Sequence, residues 1–107
     1  MKLVKKFSII AGLCLVTGSA LSDNGSSDGE TLYRDKLCVA CHGVDGKHGA
    51  MDAYPNLDGL DANYMLTQMK DIKSGARNNS HTRAMKNIMD KVSDSEMSTI
   101  ANWLSKQ

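Results

Sequence analysis

The residues most able to carry chemistry lie in the stretch CVACHG, where Cys38 and Cys41 are separated by two residues and His42 follows directly. Two thiols and an imidazole at this spacing are compatible with a disulfide, a metal clamp, a redox dithiol or a covalent cofactor anchor. The rest of the chain has to decide among these four chemistries.

Three of the four interpretations find little support in the surrounding sequence. A zinc site commonly takes four ligands from two pairs, and only His48 and His81 remain as nitrogen donors after the motif. A thioredoxin-type dithiol follows a strand in a βαβ unit, whereas a helical pattern precedes this motif. A disulfide between Cys38 and Cys41 would close a very short loop, stabilise little and leave His42 without a role.

The fourth interpretation, covalent haem attachment through Cys-x-x-Cys-His, accounts for all three residues. Cysteines three apart at a helix end place both sulfurs on one side, where they can add to the two vinyl groups along one haem edge. The histidine that follows reaches the iron from the same face. The sequence therefore predicts that Cys38 and Cys41 anchor one haem covalently and that His42 is an axial ligand of its iron.

The other axial position of the iron has several candidate ligands. They are Met51, Met65, Met69, Met85, Met89, Met97, His48 and His81. Met65, Met69 and Met97 lie on amphipathic helical stripes, where methionine commonly fills the core. Met85 and Met89 follow a loop and precede the last helix, so their segment could cover the far face of the haem. The residues alone do not separate these two.

The N-terminal stretch, residues 1–22, has the layout of a secretory signal peptide. A lysine-rich segment precedes an apolar run over 7–16, and small residues then predict cleavage after Ala20 or Ser22. The run is too short to span a bilayer, which needs about 20 apolar residues. One alternative is an uncleaved anchor or buried helix, which the short apolar run disfavours. The other is lipidation of Cys14, which the bulky residue before it disfavours. We expect an exported, periplasmic protein with no membrane span in the mature chain.

Composition limits both the partners and the core of the mature chain. The full chain has 13 basic and 12 acidic residues, and removing the three lysines of the leader leaves 10 against 12, a net charge of −2. Nucleic-acid binding would call for a basic face, so no nucleic-acid partner is expected. One Trp and three Tyr, with no Phe after residue 7, provide little core material, and small domains often need a further stabilising component. A buried haem would supply it.

After the leader, residues 23–28 are predicted to be a flexible linker and residues 29–107 a single domain. The stretch 43–61 contains four glycines and the only proline, and is too long for an idle loop in a compact domain. Apolar spacing elsewhere is helical, and the fold class is all-α with three to four helices around this loop. Helices are expected over 30–40, from the N-cap Asp61 to Gly75, around Met85 to Met89, and from the capping box at Ser93 and Glu96 onward.

Three runs of the chain resemble the class I cytochromes c, specifically the small bacterial periplasmic type with one haem. These runs are GETLYRDKLCVACHG, YPNLDGLDANYMLTQMKDIKSGAR and MKNIMDKVSDSEMSTIANWL, and together they cover nearly all of residues 29–107. They are similar to the haem subunit of flavocytochrome c and to single domains of dihaem cytochromes. The resemblance implies three to four helices wrapped around one covalently attached haem c.

The resemblance also implies roles for individual residues. The backbone carbonyl of Pro55 would hold the proximal His42, and Met85 would be the distal ligand of the iron because of its spacing to the last helix. Gln68 and Arg77 match positions that often lie near the haem or its propionates. Two residues, His81 and Arg83, stand where relatives often have small or apolar side chains, so His81 remains an alternative ligand.

The function implied by the resemblance is electron transfer in the periplasm. A histidine and a methionine would fill both axial positions, so no position on the iron stays free for a substrate and no enzymatic activity is expected. The partners would be redox proteins, met by a monomer or by a subunit of a heteromeric complex. Two alternatives stay open: a haem subunit of a larger oxidoreductase, for example of the flavocytochrome c type, and a ligand-binding haem sensor.

Overall fold

The structure, a computed structural model, describes residues 25–107 and, in isolation, Gly12 and Gly18. The predicted signal peptide therefore lies outside the described residues apart from these two glycines. Within 25–107 there are five helices and no strand, and none of these helices is long and apolar enough to cross a bilayer. The all-α fold class is confirmed, with five helices in this range where three to four were predicted. The helices are α1 (Gly25–Asp35), α2 (Cys38–His42), α3 (Ala62–Ser74), α4 (Thr82–Met89) and α5 (Asp94–Leu104).

The helix predicted over 30–40 is wrong in its bounds, because the structure has two helices there. Helix α1 starts at Gly25, so residues 25–28 are helical where a flexible linker was predicted over 23–28. It ends at Asp35, since Leu37 takes a left-handed backbone conformation with φ of 66° and separates α1 from α2. The apolar spacing continues across this break, which is why the sequence pattern alone predicts one helix.

The ends of α3 and the start of α5 follow the predicted local signals. The side chain of Asp61 accepts a hydrogen bond from the backbone N–H of Tyr64 at 2.8 Å. Gly75 ends α3 in a left-handed conformation, with φ of 85°. Ser93 and Glu96 form a reciprocal capping box at the start of α5. These caps satisfy backbone groups that a helix end leaves without intrahelical partners.

Helices α1 and α5 cross at very short range and form the centre of the core. A Cβ atom added to Gly29 would lie only 2.3 Å from the Cβ of Trp103, so glycine permits this approach. The Tyr33 ring packs on Trp103 with 5.1 Å between ring centroids, and its hydroxyl donates to the Gly43 carbonyl at 2.6 Å. Burial raises the pKa of Tyr33, which keeps this hydroxyl protonated as a donor. The core is thereby linked to the residue that follows His42.

The loop between α2 and α3 folds back and contacts the end of α2. The N–H of Ala50 donates to the carbonyl of Cys41 at 2.9 Å, and the N–H of Leu57 donates to the carbonyl of Gly46 at 2.7 Å. Gly43 starts the loop with φ of 82°, where an added Cβ would meet a backbone carbonyl oxygen at 2.3 Å. The loop thus returns to α2 and carries Pro55 to the neighbourhood of the motif.

Candidate functional site

A cavity of about 410 Å³ opens between α2, its following loop, α3, α4 and α5. Its walls are mostly aliphatic, aromatic and methionine side chains, with a small number of polar groups. Both the size and this lining are typical of small-molecule and cofactor sites. All seven site residues predicted from the sequence line it: Cys38, Cys41, His42, Pro55, Gln68, Arg77 and Met85.

The two cysteines of the motif are free thiols on the wall of this cavity, so the structure contains no Cys38–Cys41 disulfide. Among the described residues there is no group of three or more His, Cys, Asp or Glu side chains that could hold a metal ion, which opposes a zinc site. Burial raises the pKa of the Cys38 thiol to about 11, whereas reactive dithiols have a lowered pKa. Covalent attachment of a cofactor is the remaining chemistry.

The imidazole of His42 is buried and its tautomer is fixed by the loop. Its Nδ1 lies 3.2 Å from the carbonyl oxygen of Pro55. A carbonyl only accepts hydrogen bonds, so Nδ1 carries the proton and the neutral ring keeps Nε2 as its bare nitrogen. Burial lowers the pKa of His42, although the bond to Pro55 partly opposes this. The neutral form, which is the form that binds metals, is therefore favoured.

The methionines of the chain differ in their relation to the cavity. Met85 is partly buried and lines it from α4, whereas Met89, four residues later, is buried in the helical core. Met65 and Met69, expected to be core residues, are buried and also line the cavity from α3. Met51 has 48% of its surface exposed. The structure thus separates Met85 from Met89, which the residues alone could not do.

Arg77 brings a positive charge to the cavity wall, and a hydrogen bond to Gln68 holds its side chain there. Arg77 Nη1 donates to Gln68 Oε1 at 3.0 Å, and Arg77 Nε donates to Asn79 Oδ1 at 3.1 Å. The guanidinium is thereby held at the cavity, where its charge would attract a carboxylate of a bound group. The structure brings together two residues that the resemblance assigned separately.

An aromatic contact at the cavity, between Tyr54 and His81, was not predicted. The Tyr54 ring meets His81 edge to face at 5.5 Å between centroids, and it lies 6.2 Å from the His42 ring. His81 is exposed, and its Nδ1 lies 3.1 Å from the Ser80 hydroxyl. The position of Tyr54 directly before Pro55 was the only sequence signal that could have indicated its place beside the proximal histidine.

The residues of the cavity fit a covalently attached haem. Leu37 and Tyr64 line the cavity yet expose 58% and 55% of their surface. Large apolar side chains around an open cavity are the walls that a flat, apolar macrocycle would cover. Two free thiols and a neutral imidazole with a bare Nε2 supply the anchors and one iron ligand in the same wall.

The comparisons with known proteins agree with this fit. A model of the cytochrome c family matches residues 26–107. Cytochrome c-553 of Nitratidesulfovibrio vulgaris is 29% identical over 103 residues, which cover 96% of this chain and 99% of that protein. A protein of Stutzerimonas stutzeri described as a thiosulfate dehydrogenase electron acceptor is 35% identical over 86 residues, covering 74% of this chain but only 38% of that protein.

Among solved structures, the crystal structure of reduced recombinant cytochrome c4 from Pseudomonas stutzeri has a TM-score of 0.66 and 23% sequence identity. The match covers 76% of this chain and 47% of that chain. At this identity the likeness concerns the fold, which is thus shared with about half of a longer cytochrome.

Proposed function

Because the chain belongs to the cytochrome c family, we propose that it is a periplasmic electron carrier whose haem iron is held by His42 and Met85. The family carries haem c covalently and transfers electrons, so this chain is an electron-transfer protein with one haem c and not an enzyme in its own right. The observation that carries the proposal is the hydrogen bond from His42 Nδ1 to the Pro55 carbonyl, in the cavity that Cys38, Cys41 and Met85 also line.

Each side chain of the site has a defined task in this proposal. When bound, the haem supplies a one-electron ferric/ferrous couple. Cys38 and Cys41 would hold the group through thioether bonds, His42 would offer Nε2 to the iron, and Met85 would offer its thioether sulfur. With these two protein ligands on the iron, no position would be left for a small molecule. The largely apolar walls would keep water from much of the bound group, which limits reorganisation when the charge of the site changes.

The leader and the relatives support the proposed location and partners. The predicted signal peptide supports export, and the bacterial relatives support a periplasmic setting. Redox proteins commonly meet through small and brief contacts, with interfaces at the low end of the size range. A carrier of this kind requires one electron donor and one acceptor, each a redox protein.

A second candidate role is that of a subunit or domain partner within a larger oxidoreductase. The similarity to a protein described as a thiosulfate dehydrogenase electron acceptor favours it, although this chain covers only 38% of that protein. Size-exclusion chromatography of the protein from its native periplasm separates the two roles. Elution as a free domain supports the carrier, and stable co-elution with a dehydrogenase subunit supports the complex.

The assignment of Met85 is tested by comparing two alanine substitutions in α4. Met85→Ala should abolish the weak far-red absorption band of a thioether bound to ferric haem, lower the reduction potential and open the iron to cyanide or carbon monoxide. Met89→Ala is the matched control, because Met89 is 1% exposed in the core. It should keep the band and cost about 2–5 kcal/mol of stability through the cavity it leaves.

Three results would contradict the assignment. If Met89→Ala loses the band while Met85→Ala keeps it, the ligand is Met89. If both variants keep the band, Met65 or Met69, which also line the cavity, must be the thioether ligand. If the unsubstituted protein shows no band at all, His81 or an open coordination site has to replace Met85, and the carrier function loses its main support.

A further inference from the structure

Helix α4, which carries Met85, is too short to hold its own position. It has eight residues, Thr82–Met89, and the residue before it, His81, makes no side-chain capping hydrogen bond. Isolated helices of this length are marginal in water, so tertiary contacts must fix the helix. The buried Met89 packs into the core and provides one such contact at the C-terminal end.

Two lysines from other parts of the fold bind the backbone directly after α4. Lys73 Nζ, in the last turn of α3, donates to the carbonyl oxygen of Val92 at 2.6 Å. Lys36 Nζ, in the turn between α1 and α2, donates to the carbonyl oxygen of Lys91 at 3.0 Å. Adjacent carbonyls at the end of one helix are thus held by cations from two different elements.

The Lys73 contact is partly buried, whereas the Lys36 contact is exposed but adjoins the capping box of α5. Val92 is 1% exposed, and its bond to Lys73 is partly buried. Lys36 also lies 3.3 Å from Glu96 Oε2, a carboxylate that the capping box of α5 already positions. Cations near a helix C-terminus are favoured by the helix dipole, and hydrogen bonds from charged donors are stronger than neutral ones.

The backbone after α4 is continuous with the helix through its own hydrogen bonds. The N–H of Lys91 donates to the carbonyl of Ile88, and the N–H of Val92 donates to the carbonyl of Met89, each at 3.0 Å. A displacement of residues 91 and 92 would therefore be transmitted to the last turn of α4. Met85 lies one helical turn before Met89, and its distance from the other cavity walls depends on where this end of α4 is held.

We propose that Lys73 and Lys36 are positioning residues for the distal iron ligand: by holding the carbonyls of Val92 and Lys91 they keep Met85 at the cavity and slow its release from the iron. This inference rests on Met85 being that ligand. Lys73 should contribute more to the positioning of Met85 than Lys36, because its bond is the shorter one. This bond also joins α3, a wall of the cavity, directly to the end of α4.

The test measures how fast imidazole replaces Met85 in the ferric holoprotein, a reaction limited by release of the thioether. Lys73→Met removes the ammonium and retains an unbranched side chain. It should keep the far-red band in the absence of imidazole and raise the rate of imidazole binding about tenfold, as expected for loss of a charge-assisted hydrogen bond. Amide hydrogen exchange at Asp90, Lys91 and Val92 should accelerate in the same variant.

Two control variants make the result specific. Lys70→Met removes an exposed ammonium one turn earlier on α3 and should leave the rate of imidazole binding unchanged. This control shows whether the loss of one positive charge is enough to change the rate. Ala101→Gly, buried in α5, should lower overall stability without changing the rate under native conditions.

The proposal is overturned if Lys73→Met binds imidazole at the wild-type rate, or if Ala101→Gly accelerates binding as much as Lys73→Met does. A failure of the Met85 assignment is recognised separately, because Met85→Ala would then keep the far-red band whatever the lysine variants do.

Discussion

Removing the two thioether anchors should leave a chain without a cooperative fold. In the double variant Cys38→Ala, Cys41→Ala produced without haem, the site becomes an unfilled cavity of about 410 Å³. Unfilled apolar volume closed to water costs about 24 cal/mol per Å³, so for this open cavity about 10 kcal/mol is an upper bound. A domain of this length is typically stable by only about 4–12 kcal/mol in total. The upper bound is comparable to the whole stability.

Far-UV circular dichroism and the fluorescence of Trp103 during urea titration measure this outcome. Trp103 is the only tryptophan in the chain and is buried between α1 and α5, so its emission reports on the core and not on the site. The haem-free double variant should show weak helical signal, solvent-exposed emission and no sigmoidal transition. Addition of haem to the same variant, which keeps His42 and Met85, should restore part of the helical signal. A sharp transition shared by both probes in the haem-free variant would show that the helices fold without the cofactor and would refute this reasoning.

Three further predictions concern the scaffold, and thermal unfolding of the holoprotein measures each. Gly43→Ala should lower the melting temperature more than Gly75→Ala. Both residues have a positive φ, of 82° and 85°, which costs an alanine about 1–2 kcal/mol. Only at Gly43 does the new Cβ also meet a backbone oxygen, at 2.3 Å, so equal losses of stability would show that the loop backbone moves away without an energetic cost. Gly29→Ala should cost about 1–3 kcal/mol by forcing α1 away from Trp103, and an unchanged melting temperature would mean that the crossing is loose. For Glu96, the hydrogen bond from the Ser93 backbone N–H holds the pKa below its ordinary value of 4.5, with Lys36 contributing. The associated stability is present above pH 4.5 and is lost as the pH falls through the lowered pKa. Glu96→Gln should therefore have a lower melting temperature at pH 7, and its melting temperature should change less with pH below 4.5. Parallel plots of melting temperature against pH for variant and wild type would contradict this.

The parts of the fold that were predictable are those encoded in a few neighbouring residues. Asp61 as an N-cap, Gly75 at a helix end and the Ser93–Glu96 capping box are local signals, and the structure has each of them. The break after α1 was not predictable, because Leu37 is not a residue type expected in a left-handed conformation. The helix before it is held by contacts with distant residues, such as the packing of Tyr33 on Trp103, which no local pattern contains.

The features of the site can also be separated into those encoded by neighbouring residues and those that depend on distant ones. The spacing of Cys38, Cys41 and His42 is contiguous, and its chemistry could be derived from the residues. The contact between His42 and Pro55 joins two residues 13 apart through an irregular loop, so only the resemblance to a family indicated it. The Tyr54–His81 contact and the lysine bonds to residues 91 and 92 join parts of the chain that are distant in sequence. The sequence indicated at most that Tyr54 lies beside the proximal histidine, and it indicated neither set of partners.

The crossing of α1 and α5 has a consequence for what happens when the chain is cut. It joins the first helix described to the last, while the loop over residues 43–61 lies on the path between them. Neither the piece that contains α1 and α2 nor the piece that contains α3 to α5 has a complete core, because Tyr33 belongs to one and Trp103 to the other. A protease nick in the loop should therefore produce two fragments that stay associated and coloured, and that separate only under denaturing conditions.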